Sequence, residues 1–177
     1  IIKAGQGQCG TWAKQLIVGW SDGFIESLEP MTGLRNWHYQ SEVNVWGITG
    51  SLAQDEDKLV APTRTGIVSL CLADGTLIQN TTTDLGWRNG VTVTDTGYLV
   101  GDENGTLWNL SREGNLTSYP LAIGKIRHPP LLTDGGIVIH AQGQGQSTIA
   151  LLDENYSIIN SHTSGSSPAM PIMVDGY

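Results

Sequence analysis

Leu16-Ile17-Val18-Gly19-Trp20-Ser21-Asp22-Gly23-Phe24-Ile25-Glu26-Ser27-Leu28 decides the fold, because the chain says it again three times. The second copy runs from Leu59 through Thr65-Gly66 to Leu70, the third from Tyr98 through Asn104-Gly105 to Leu110, and the fourth from Ile137 to Leu151. In each copy an apolar run meets a polar turn, a second apolar run ends on leucine, and a further turn follows at Thr32-Gly33, Asp74-Gly75, Glu113-Gly114 or Glu154-Asn155. Leu28, Leu70, Leu110 and Leu151 are spaced 42, 40 and 41 residues apart. Self-similarity at a fixed period of this size is the signature of a repeat architecture.

An earlier segment precedes each copy, at 47–54, 88–95 and 128–134, with 8–14 as a weaker first version. Each unit therefore reads as four short strands. Asp-Gly and Asn-Gly between apolar runs favour tight hairpins, because glycine accepts the positive φ such turns need, so neighbouring strands are expected to be antiparallel. Side chains in 66–72 and 105–110 change face at each step, as a half-buried sheet requires. No stretch shows the spacing of an amphipathic helix. A unit of about 40 residues with four antiparallel strands cannot cover both of its apolar faces alone, so the expected fold is all-β, a β-propeller of stacked blades. The blades are placed at 8–45, 46–86, 87–126 and 127–166, with a partial blade at 167–177 represented by one extra innermost strand at 168–174. A closed four-bladed ring, two copies sharing an eight-bladed ring, and a slice of a longer chain all fit this count. The reading adopted is the slice, a segment of a seven- or eight-bladed ring, since the sequence starts at Ile1 and stops at Tyr177 within a unit.

Composition narrows the function. The 177 residues include 9 Lys+Arg against 17 Asp+Glu, a formal net charge of −8. The basic surface that drives nucleic-acid binding is missing, so no nucleic-acid partner is expected. No apolar run approaches the roughly 18 residues that cross a bilayer, so no membrane span is expected.

The pattern of an apolar-Gly turn followed by Asp-Gly, Leu, Thr-Gly and Trp resembles the PQQ-like (quinoprotein-type) β-propeller repeat, over about residues 8 to 177. The likeness is closest at Ser27-Leu28-Glu29-Pro30-Met31-Thr32-Gly33-Leu34-Arg35-Asn36-Trp37, which is similar to the family's tryptophan docking motif, with Ser27 standing for Ala and Glu29 for Asp. It fades later, where Gln79 takes the place of Trp37. The resemblance implies that Trp37 packs between blades with its ring N–H partnered. It specifies fold more than function, because the repeat occurs in enzymes and in non-enzymatic scaffolds.

Catalysis by a quinoprotein dehydrogenase would imply PQQ, calcium, a catalytic Asp and often adjacent cysteines. Cys9 and Cys71 lie 62 positions apart. The blade register sets them at least two strand spacings of about 4.8 Å from each other, so they are expected to be free, buried thiols. His38, His128, His140 and His162 show no metal-ligand spacing, and no metal or cofactor is expected. Asp22, Asp55, Asp57, Asp95, Asp102, Asp134, Asp153 and Asp175 are read as turn residues that bind their own backbone, rather than as a calcium set. The Gly-rich stretches 5–8 and 143–146 precede neither a helix nor Lys-Ser/Thr, and no Gly-x-Ser-x-Gly is present, which removes phosphate loops and nucleophile elbows.

The loops leading into the innermost strands carry Trp46, Trp87, Arg88, Arg127 and His128, again close to a period of 41. Trp and Arg dominate interaction hot spots, so these five are the candidate binding residues. The alternative for the tryptophans is inter-blade packing like that of Trp37. Asn80, Asn104, Asn109, Asn115 and Asn155 each begin Asn-x-Ser/Thr, the acceptor signature for glycosylation of an exported protein. Together these features predict a non-catalytic scaffold, extracytoplasmic (periplasmic, secreted or cell-surface), that binds a protein or ligand or self-associates to complete a ring. A quinoprotein dehydrogenase fragment and a purely structural module of a large surface protein are the alternatives.

Overall fold

The structure, a computed structural model, describes residues 1–42, 45–167, 169–172 and 174. The chain divides into two compact units, Ile1–Trp87 and Arg88–Tyr177. Among the described residues, the regular structure in both is β.

In the first unit, β1 (Gly5–Gly7) and β2 (Gly10–Trp12) form a two-stranded hairpin. Strands β3 (Leu16–Gly19), β4 (Phe24–Leu28) and β5 (Arg35–Gln40) form a three-stranded antiparallel sheet. Next, β6 (Ala53–Asp55), β7 (Lys58–Thr63), β8 (Gly66–Cys71) and β9 (Leu77–Thr82) form a four-stranded meander. The expectation that 8–14 supplies the inner strand of the first blade is corrected: its strand residues pair with β1, not with β3. The core of this unit gathers Trp12, Ile25, Trp37, Leu59, Val68 and Leu70.

In the second unit, β10 (Val91–Val93), β11 (Gly97–Gly101), β12 (Thr106–Ser111) and β13 (Leu116–Pro120) repeat the meander. The last sheet has two short pieces in its inner position, β14 (Lys125–Ile126) and β15 (Leu131–Thr133), both paired to β16 (Gly136–Gly143), followed by β17 (Gln146–Leu152) and β18 (Ile158–Gly165). Residues 127–130 interrupt that inner strand, and they include Pro129 and Pro130, which have no backbone N–H to donate to a ladder. Of the extra strand expected at 168–174, residues 169–172 and 174 belong to no strand, and 168 and 173 lie outside the described residues. The core here is built from Leu99, Leu107, Ile126, Ile139, Ala150 and Leu152.

In each of the larger sheets burial is greatest in the middle strands and least in the outer one. β8 and β11 are buried at every residue, as sheets covered on both faces require, so the half-buried alternation expected for 66–72 is replaced by burial throughout. The outer strands β5, β9, β13 and β18 are largely exposed. Carboxylates hold several hairpins, as the turn reading expects for Asp22, Asp102 and Asp153; the Asp57 carboxylate instead accepts the distant Cys9 N–H, and Asp175 lies outside the described residues. The Asp22, Asp74, Asp102 and Asp153 side chains each accept the backbone N–H two residues on, at 3.3, 2.9, 2.8 and 2.9 Å.

Trp37 is buried, and its indole N–H donates to the Leu72 carbonyl at 3.0 Å, tying β5 of one sheet to the end of β8 in the next. Gly75 lies beneath the ring at φ 74°, where a Cβ would stand 2.5 Å from an indole carbon. Buried Gln15 donates to the same carbonyl at 3.0 Å, accepts from Ser27, and Ser27 in turn accepts from Asn36 at 3.1 Å. The docking role implied for Trp37 is therefore present in the geometry.

Cys9 and Cys71 form a disulfide, with Cα atoms 5.8 Å apart, which corrects the reading of free thiols. Cys9 is not on a strand of the first blade, as that reading supposes. Cys9 sits in the β1–β2 turn, and its N–H donates to the Asp57 carboxylate at 2.9 Å, in the turn beside Lys58, the register partner of Cys71.

Candidate functional site

In the Ile1–Trp87 unit the structure brings Trp46 and Trp87 together. Their rings lie 6.1 Å apart and are tilted by 37°, and the residues are 52% and 55% exposed. Both are far more exposed than Trp37, which is 7% exposed. Trp46 has φ 56°, a left-handed conformation that costs a side chain of this size about 1 kcal/mol or more. Hydrogen bonds from the next two residues hold it there: Gly47 donates to Ser21 and Ile48 to Trp20, at 2.9 and 3.2 Å. Val45, 56% exposed, extends the apolar surface.

The candidates of the Arg88–Tyr177 unit do not converge. Arg88 is exposed. Arg127 is half-buried and grips Glu103 with two nitrogens, at 2.9 Å each, while Lys125 reaches the same carboxylate at 3.1 Å. Burial pushes the Glu103 carboxyl up, but hydrogen bonds and charge from Arg127 and Lys125 outweigh it and hold the group below its ordinary range. Glu103 and Lys125 line a cleft of about 660 Å³ together with Asn104, Gln142, Gln146 and Thr163. The lining mixes amides, hydroxyls and paired charge with the apolar Ala122 and Ile123.

His128 turns to another partner: its ring stacks on that of His140, 5.1 Å away and within 10° of parallel. His140 is buried, and its Nδ1 has no hydrogen-bond partner. It lies on β16 where the inner strand is interrupted. Burial, followed by the charge of His128, pushes the His140 imidazole below its ordinary value. The unfolded chain then binds more protons than the folded one as pH falls below about 6.5. Stability is thus complete above that value and declines on acidification through the folded-state value. Thermal melts between about pH 7 and about pH 5.5 should show this decline, and His140→Phe should flatten it.

Four of the acceptor asparagines, Asn80, Asn104, Asn115 and Asn155, are exposed. Asn109 is not: it is half-buried on β12, and its Nδ2 donates to the Tyr156 hydroxyl at 2.8 Å. Among the described residues, no three His, Cys, Asp or Glu side chains gather to hold a metal, and no helix is long and apolar enough to cross a membrane. The sequence reading missed the disulfide, the Glu103–Arg127 pair and the histidine stack. Two basic residues two positions apart, Lys125 and Arg127, were a local signal for the second of these.

No family model matches the chain, and no curated protein matches it. Among solved structures it is similar to BamB from Moraxella catarrhalis, with a TM-score of 0.64 and 18% identity over 83% of this chain and 49% of that one. It is similar to the Pan2 WD40 domain of Neurospora crassa, with a TM-score of 0.68 and 13% identity over 84% and 46%. It also resembles the computationally designed Ika8 protein, with a TM-score of 0.58 and 16% identity over 84% and 46%. The chain spans less than half the length of each. These likenesses speak for fold: the chain is a propeller-type repeat protein built of antiparallel blades.

Proposed function

We propose that the chain is a non-catalytic propeller scaffold of the PQQ-like kind, which binds a protein partner outside the cytoplasm through Trp46 and Trp87. The observation that carries this reading is the pair itself: two tryptophans side by side, more than half exposed, on a backbone held at an unfavourable φ. Paired indoles bring a large contact area at low cost in side-chain entropy. An isolated structural module has no use for such a pair in water. The charge of −8 favours a partner surface that is basic around its apolar contact. The Cys9–Cys71 disulfide supports the compartment, because such bonds persist in oxidising surroundings. Trp37 docked on Leu72 supports the family resemblance.

A benzophenone side chain in place of Val45, photoactivated in the source cells, should give one discrete protein adduct. Trp46→Ala combined with Trp87→Ala should abolish it, each tryptophan being worth about 2 kcal/mol or more of binding, while thermal unfolding stays unchanged. An adduct that survives the double substitution sinks the assignment. A change in ultraviolet absorbance on adding PQQ with calcium would favour the dehydrogenase alternative instead.

A further inference from the structure

Resting on the extracytoplasmic reading above, we propose that Asn80, Asn104, Asn115 and Asn155 carry N-linked glycan and that Asn109, with the same Asn-x-Ser/Thr signature, does not. The five acceptor sequences are equivalent on paper, and the fold separates them.

Asn104 and Asn155 occupy the same kind of turn. The Asp102 carboxylate accepts the N–H groups of Asn104 and Thr106, both at 2.8 Å, and Asp153 does the same for Asn155 and Ser157, at 2.9 and 2.8 Å. The aspartate does the work of closing the turn, so the asparagine amide is not needed for it and stands exposed. Asn115 is exposed at the turn before β13, its N–H donating to the Ser111 hydroxyl at 3.3 Å. Asn80 is exposed on the outer strand β9. At each of the four, a sugar on Nδ2 extends into solvent and displaces nothing.

Asn109 differs at the atom that matters. Its Nδ2, the nitrogen a sugar would occupy, donates to the Tyr156 hydroxyl at 2.8 Å, and its Oδ1 is buried. Tyr156 is fixed in turn by Tyr119, with ring centroids 4.2 Å apart. A sugar at Asn109 needs the space that Tyr156 fills, so a chain modified there cannot close this packing.

The transfer needs a polyisoprenoid pyrophosphate-linked oligosaccharide as donor. Nδ2 of asparagine forms a bond to the anomeric carbon, the bond from that carbon to the pyrophosphate oxygen breaks, the pyrophosphate leaves as the anion, and one amide proton passes to the transferase base.

The chain should be produced through the secretory route of a eukaryotic cell and its glycans removed by an amidase in heavy-oxygen water, which marks each occupied asparagine as labelled aspartate. The expected map has label at Asn80, Asn104, Asn115 and Asn155 and none at Asn109. Asn80→Gln, Asn104→Gln, Asn115→Gln and Asn155→Gln should each remove one step of gel mobility, and Asn109→Gln none. The map of the unsubstituted chain decides the matter even where a variant fails to fold. Glycan on Asn109 of folded, secreted chain overturns the proposal. So does a secreted chain with the Cys9–Cys71 bond formed and the other four asparagines bare, a result that leaves the extracytoplasmic reading standing. A chain retained inside with both thiols reduced overturns that reading and the proposal with it.

Discussion

Trp37→Ala should unfold the Ile1–Trp87 unit at temperatures where the unsubstituted unit is stable. Trp37 is 7% exposed and packs over Gly75 in a cluster with Trp12, Ile25, Leu59 and Leu70, so its removal leaves a cavity in the core of the unit. Truncations of this size cost about 3–5 kcal/mol, a large part of the roughly 5–15 kcal/mol that holds an ordinary domain together. The polar loss adds little, because the Leu72 carbonyl keeps its bond from Gln15. Trp37→Phe separates the two contributions: it retains much of the volume, gives up the N–H, and should cost about 1–2 kcal/mol. Urea titrations followed by far-ultraviolet circular dichroism measure both. A midpoint for Trp37→Ala within error of the unsubstituted protein would show that Trp37 does not dock one sheet on the other.

The second large effect belongs to the disulfide. Cys9 and Cys71 are 62 residues apart in sequence, and closing a loop of that length removes about 4 kcal/mol of chain entropy from the unfolded state. Cys9→Ser with Cys71→Ser should lower the melting temperature by many degrees, and reductant should do the same to the unsubstituted protein and nothing to the double variant. The effect should centre on the β1–β2 hairpin, which has only two strands of its own and buries Trp12. Equal melting temperatures with and without reductant would show that the hairpin is held by packing alone.

The comparison of sequence and structure divides along a physical line. What repeats in the chain was legible: each recurring leucine falls on the strand just inside the outer one, and Leu70 and Leu110 are buried to within 1% of full burial. Turn carboxylates were legible too, since Asp74 or Asp153 needs only its own next few residues to act. Trp37 could be placed because a motif came with it. What was lost depends on contacts between segments with no periodic relation. The disulfide joins a turn outside the blade pattern to a strand inside it, and the register argument had assigned that turn to a strand. Arg127 and His128 are neighbours in sequence, yet one reaches back 24 residues to Glu103 and the other forward to His140. Nothing in their spacing distinguishes those destinations. Trp46 and Trp87 lie between these cases: periodicity picked out both, but not that their rings lie beside each other and about half exposed.

The bond between Cys9 and Cys71 also changes what a break in the chain means. It turns the stretch from 9 to 71 into a covalently closed ring, and within that ring lies the β4–β5 turn, where Met31 and Leu34 are 89% and 70% exposed. A protease meeting the molecule in an oxidising fluid will find its easiest apolar side chains there. Cleavage at that turn severs no connection between the two ends of the polypeptide: the pieces remain one molecule of unchanged mass apart from a water, and they part only when the sulfur–sulfur bond is reduced.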